Sequence, residues 1–437
     1  MTATVLDVLD LRVFTGDLAV ALAPPEMSSA PVEAVRSIIA DVRDRGDAAV
    51  REYTARFDGC TIGELRVPAA EIDAASARVP TELRAALAYA ASEIRAYHEA
   101  QPATPVRVDR DGIQAEEIVV PVDRAGCYAP GGRATYPSTV LMTAIPARVA
   151  GVAEVALCVP PDRDGTLPDV TLAAAALAGV DEVYRVGGVP AIAALAYGTE
   201  TVPPVDVVVG PGNVYVTLAK REVLGQVGTD TFAGPSEVVI VADATADADL
   251  VAADLLAQAE HGPGGAAVLV TWHEPLLAAV EAALTERVDR APRADDIRAT
   301  LATGGRAVLV RDASGALEVA NTIAPEHLEL HTADPDALVP AVRNAGAVFC
   351  GSETPAAVGD YVAGVNHVLP TGRTARFASA LRVDTFRKHI HVVHADRAAL
   401  ERVGPYVTAL ATAEGLPEHA RSVTLRTERG VATERAS

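Results

Sequence analysis

Short apolar runs alternating with alanine-rich helical ones constrain this chain more than any other feature. EVALCV (154–159), a helical stretch over Thr171–Ala178, EVYRV (182–186), a helical stretch from Ala191 and DVVV (206–209) follow one another, the last leading into GPGN. A second series runs EVVIVAD (237–243), helical Asp247–Glu260, AAVLVTW (266–272), helical Pro275–Val288, RAVLVRD (306–312) and GAVFC (346–350). Strands that are apolar throughout and separated by helices must be covered on both faces, as in parallel sheets. The expected fold is therefore α/β: two doubly wound, incomplete Rossmann-like parallel-sheet domains sharing a cleft, with small helical N- and C-terminal segments.

Before this alternation, Val32, Val35, Ile38, Ile39, Val42, Val50, Tyr53 and Phe57 recur at helical spacing, and Thr81–Gln101 repeats that character. IVVPV (118–122) begins a strand-like stretch, and Ala398–His419 is expected to be helical and to end near a basic tail. The expected divisions are 1–128 (helical N-terminus and start of the first α/β domain), 129–236 (a second α/β domain), 237–380 (the rest of the first) and 381–437 (a small C-terminal segment).

Acidic residues outnumber basic ones by 58 to 37, for a net charge of -21, with no Lys/Arg cluster to neutralise a phosphate backbone or an anionic membrane. Neither nucleic acid nor membrane is expected as a partner, and a cationic substrate suits the field. Pro146, Arg148 and Glu154 interrupt the one long apolar stretch. Cys60, Cys127, Cys158 and Cys350 form no CxxC pair, and the first residues lack a basic n-region, so a reducing cytoplasm is the expected location.

Several motifs could carry chemistry. GCYAPGGRATYPS (126–138) and VVVGPGNVYV (207–216) each place glycines between a strand and a helix, where backbone N–H groups can meet an anion; ordinary turns fit equally, and neither run is GxGxxG. Gln258 and His261 sit three apart near a helix C-terminus, spaced for a shared metal or for simple surface polarity. In APEHLEL, Glu326 and His327 adjoin within an apolar setting. A buried carboxylate–imidazole pair is costly unless used, which makes it an acid/base candidate; a surface Glu beside a core His is the alternative. Asp360, Asn366 and His367 lie in a glycine-rich stretch, and Glu414 and His419 close to the C-terminus. The remaining histidines, His331 among them, have no ligand-like spacing.

Taken in order, GCYAPGG, YPSTVLM, GPGNVYV, GPSEVV, QAEHGP, PEHLEL, GDYVAG, NHVLPTG and EGLPEHA resemble the histidinol dehydrogenase family from about Ile118 to Arg426. The resemblance implies a zinc ion held by Gln258, His261, Asp360 and His419. It also implies substrate contacts from those four residues with Ser236, His327 and Glu414, and NAD contacts from Tyr128 and Asn213. A third NAD contact is glutamine in the family. This chain carries Pro190 there, which has neither the amide nor an N–H.

The implied reaction is the oxidation of L-histidinol through L-histidinaldehyde to L-histidine by two hydride transfers to NAD. His327 is then the recurrent base, and Glu326 activates water between the steps. The family implies a homodimer in which Glu414 and His419 are donated across the interface, with residues 129–236 contacting NAD and 381–437 dimerising. The competing expectations are a related zinc/NAD dehydrogenase of another small polyol or sulfonated alcohol, and a non-catalytic binding protein on the same scaffold.

Overall fold

A computed structural model describes residues 5–23, 31–102, 105–132, 134–231 and 234–434. The chain forms two compact units: residues 1–101 with 122–386, and residues 102–121 with 387–437.

The larger unit holds two parallel sheets. In one, Asp7–Asp10, Gly305–Leu309, Ala266–Thr271, Glu237–Ala242, His327–His331 and Ala347–Cys350 lie side by side in that order. In the other, the order is Glu182–Arg185, Glu154–Val159, Arg124–Tyr128, Val207–Val209 and Gly228–Thr229. Counted along the chain, the strands after Glu237 and those after Arg124 share the doubly wound order 3-2-1-4-5, and the first sheet gains Asp7–Asp10 at its edge.

Each sheet is buried on both faces because successive side chains alternate between two cores. Val238 and Ile240 enter one layer while Val239 and Val241 enter the other; Ala125 and Cys127 face opposite to Ala156 and Cys158. The N-terminal helices Val32–Arg45, Asp47–Phe57, Ala69–Arg78 and Thr81–Glu99 supply part of the covering for the sheet of the second order.

The smaller unit pairs Ile113–Pro121 in antiparallel fashion with Arg387–Ala395 on one side and Arg107–Arg110 on the other. Two helices follow, Arg397–Ala413 and Pro417–Glu434. The sequence suggested one helix to His419 and then a tail. The chain instead breaks at Gly415, whose φ of 72° is left-handed, and restarts at Pro417. This unit leaves much apolar surface open: Tyr406 is 70 % exposed, Leu410 66 % and Val393 66 %. No helix among the described residues is long and apolar enough to cross a membrane.

Candidate active site

The helix Ala313–Ile323 ends on Ala324, which adopts a left-handed φ of 52°, and Pro325 prevents its continuation. Glu326 and His327 are therefore delivered together at the start of the strand His327–His331, and both are buried. Glu326 Oε2 accepts from Ser236 Oγ at 2.6 Å and from Glu237 N at 3.0 Å. His327 Nδ1 lies 3.2 Å from the Glu237 carbonyl. That contact places the Nδ1 proton on the carbonyl and leaves the Nε2 lone pair free in the neutral ring. Nε2 sits 3.5 Å from Asp360 Oδ1, the limit of a hydrogen bond, and has no closer partner among the described residues.

Electrostatics separate the pair. Burial pushes the Glu326 carboxyl up, against the His327 charge and the Ser236 and Glu237 hydrogen bonds. Burial alone would lower His327, but the Glu326 and Asp360 carboxylates override it and hold the imidazole at about 9. Asp360, although burial opposes its charge, is kept below the usual carboxylate range by His327, His367 and His261.

The donors expected to bind metal fall into two groups. Gln258 is buried in the last turn of the helix Ala248–Ala259, and His261 lies beyond that helix in an exposed turn, so the two do not share one helical face. Asp360 belongs to the helix Ala356–Tyr361 and is close enough to feel the charge of His261. The Gln258 amide lies 3.2 Å from Ser236 Oγ. Ser236 has one proton, and its shorter contact to Glu326 takes it. The contacting amide atom is Gln258 Oε1, and the buried Nε2 has no hydrogen-bond partner among the described residues. With the Ser236 proton on Glu326, exchanging the amide's oxygen and nitrogen lets Ser236 accept from the NH2 and brings the oxygen to that unpartnered position. An unpartnered amide oxygen, a carboxylate and an imidazole together suit a zinc-type cation. Glu414 and His419 belong to the smaller unit, where both are exposed at the break between its two helices.

The glycine loops meet at the carboxyl end of the other sheet. Tyr128 ends the strand Arg124–Tyr128 and accepts from Gly188 N through its hydroxyl at 3.1 Å. Gly210 follows Val207–Val209 with φ 121°, and a Cβ there would strike the Tyr128 carbonyl. The buried Lys220–Asp230 ion pair clamps this turn: Lys220 Nζ donates to Gly210 O at 3.0 Å, and Asp230 Oδ2 accepts from Gly210 N at 2.7 Å. Asn213 caps the helix Val214–Val223, its Oδ1 accepting from Tyr215 N and Val216 N, which leaves its NH2 for a ligand.

The histidinol dehydrogenase family model matches residues 24–427. A histidinol dehydrogenase of Rhizobium meliloti is 50 % identical over 421 residues, covering 95 % of this chain and 97 % of that protein. One of Synechococcus is 52 % identical over 395 residues, 90 % of this chain and 91 % of that protein. The crystal structure of histidinol dehydrogenase from Elizabethkingia anophelis superposes with TM-score 0.94 at 33 % identity, covering 98 % of this chain and 99 % of that one. The chain belongs to the histidinol dehydrogenase family.

Within this histidinol dehydrogenase fold, Pro190 is the third residue of the helix Gly188–Tyr197. First-turn N–H groups have no intrahelical acceptor, so proline costs no helical hydrogen bond there. His367, which the sequence placed in a polar loop without a role, contacts the Asp360 carbonyl through Nδ1 at 2.9 Å and Thr139 Oγ1 through Nε2 at 3.2 Å. Asn366 is structural: its NH2 donates to Met142 O at 2.7 Å in the core. Spacing along the chain does not single out Asp254, Glu329 and His331, yet their donor atoms all lie within 4.8 Å of one another. Their signal was the period-2 row His327, Glu329, His331 in an otherwise apolar strand.

Proposed function

We propose that this chain oxidises L-histidinol to L-histidine in histidine biosynthesis, through L-histidinaldehyde, with NAD as acceptor. The observation that carries the mechanism is the tautomer lock on His327: Nδ1 is occupied by the Glu237 carbonyl, so the free Nε2 is the basic atom. His327 takes the substrate hydroxyl proton in the first oxidation and the hydrate proton in the second. Glu326, whose carboxyl burial pushes up, receives the proton of the water that adds to the aldehyde. Ser236 keeps Glu326 oriented.

Gln258, His261 and Asp360, with His419 as the fourth donor, would hold a zinc ion, which supplies a fixed anchor for the substrate's amino and imidazole nitrogens. A cation held at Asp360 would offset the carboxylate charge that raises His327. Tyr128, Asn213 and the Pro190 segment would hold NAD, which accepts a hydride in each oxidation. Residues 129–236 thus serve the cofactor and 237–380 the metal and the proton transfers.

The smaller unit is assigned to a homodimer interface, which a second copy's apolar surface would cover, and Glu414 and His419 are assigned to the partner's pocket. Their exposure and the open Tyr406 and Leu410 support this reading. The four cysteines, all thiols, accord with a reducing cytoplasm.

The test is stoichiometric. L-histidinol and NAD should yield two NADH per substrate consumed; one, or none, overturns the proposal. Mixing His327→Asn with His419→Ala subunits should restore about a quarter of wild-type activity, since half the random dimers carry one intact site. No restoration would mean that each site draws on one chain.

A further inference from the structure

We propose that Glu329 is a positioning residue, which ties the strand that begins at His327 to the elements carrying Asp360 and Gln258. The inference rests on the reading of Gln258 and Asp360 as metal ligands.

His327, Glu329 and His331 alternate onto one face of their strand, while Leu328 and Leu330 enter the opposite core. Glu329 is 1 % exposed. A carboxylate so buried must be hydrogen-bonded, and its partners lie on three elements. Its Oε1 accepts from Ala356 N at 2.8 Å, the first residue of the six-residue helix Ala356–Tyr361 that carries Asp360. Its Oε2 lies 3.2 Å from His331 Nε2, which is 3.6 Å from Asp254 Oδ2. Asp254 is one turn before Gln258 on the helix Ala248–Ala259.

Burial and the Glu329 charge push the Asp254 carboxyl up to about 7, and its hydrogen bond with Glu329 adds to the rise. So short a helix has few internal hydrogen bonds to hold it, and its direction depends on what grips its end. Glu329 supplies that grip from the strand that also presents the base. It stands two residues from His327 and acts through Asp360, with no contact to the reacting atoms.

The experiment compares the full-length wild-type protein with Glu329→Leu, Glu329→Gln and Ala356→Pro. Zinc affinity is read by chelator competition, and amide exchange over residues 357–361 by mass spectrometry. Ala356→Pro deletes only the donated N–H, because proline suits the first helical position and Pro355 already holds an extended ψ of 156°. It also serves if Glu329→Leu does not fold. Glu329→Leu and Ala356→Pro should each weaken zinc binding by about tenfold to a hundredfold and speed exchange in 357–361. Glu329→Gln, whose amide oxygen still accepts from Ala356, should stay near wild type.

Variants that melt earlier yet bind zinc and exchange as wild type would reduce Glu329 to a packing role and overturn the inference. So would a second zinc equivalent per chain that Glu329→Leu loses and Asp360→Asn keeps, since the cluster would then itself be a metal site. Asp360→Asn serves as the control on the underlying reading. If it retains the first zinc normally, the ligand assignment fails, and the inference with it.

Discussion

The two parallel sheets share the strand order 3-2-1-4-5 but present their candidate site residues at opposite ends. Tyr128, Gly210 and Asn213 follow the carboxyl ends of adjacent strands at the point where the order reverses, the usual ligand position in doubly wound folds. Ser236, Glu326 and His327 stand at the amino ends of the corresponding pair, Glu237–Ala242 and His327–His331. Helix polarity accounts for the difference. At carboxyl ends the crossover helices begin, as Val214–Val223 does, and their positive N-termini favour a phosphate. At amino ends they finish, as Ala248–Ala259 and Ala313–Ile323 do, and their negative C-termini favour a metal ion and a cationic substrate while discouraging the Glu326 anion. One architecture thus offers an anion site and a cation site, and the proposed reaction would use both.

The largest effect should come from the amino-end site. His327→Asn removes the free ring nitrogen and should lower turnover by about a hundredfold to ten-thousandfold while zinc content holds. Metal analysis of the purified variant checks the division of labour. Loss of zinc would mean that His327 is a ligand, and would blur the separation between acid/base and metal groups.

A second effect belongs to the metal-free protein. The His327 pKa rises on folding from 6.5 to about 9, so its charged form contributes stability below pH about 6.5 that is lost as pH rises through about 9. The contribution is at most about 3 kcal/mol. Thermal melts of wild type and His327→Gln should therefore converge between pH 6 and 10. Zinc should move the convergence to lower pH by offsetting Asp360. A gap independent of pH would contradict the charge balance.

At the carboxyl-end site, Asn213→Asp separates stability from binding. Aspartate caps a helix as well as asparagine, so the melting temperature should hold. Replacing the NH2 by a charged oxygen should raise the KM for NAD about tenfold by repelling the pyrophosphate. An equal effect on zinc affinity would deny that the two ends act separately.

The two sheets were legible because buried parallel strands are apolar runs of the right length, and the motif order pointed to the family. Three things were not. The pairing of Ile113–Pro121 with Arg387–Ala395 joins segments far apart in the chain, which no local periodicity encodes. The break at Gly415 lay inside a run with helical character, where only backbone conformation shows that the second helix starts afresh. His331 has no ligand-like spacing along the chain, yet the strand period places it with Glu329 and His327, and its other neighbour, Asp254, comes from a helix.

Pro190→Gln is the gentlest probe of the carboxyl-end site. Position 190 lies in the first turn of the helix Gly188–Tyr197, whose first residue donates its N–H to the Tyr128 hydroxyl. Proline there fixes φ without breaking a helical bond, and glutamine can enter the same turn without displacing backbone. The restored amide should lower the KM for NAD by only a few-fold, since one neutral hydrogen bond contributes about 1 kcal/mol, and it should leave zinc affinity and the histidinol KM unchanged. Steady-state kinetics with each substrate varied in turn decides it. An unchanged KM for NAD would mean that the preset backbone of Pro190 already supplies what the missing amide would add, making the proline an alternative way to order the same loop.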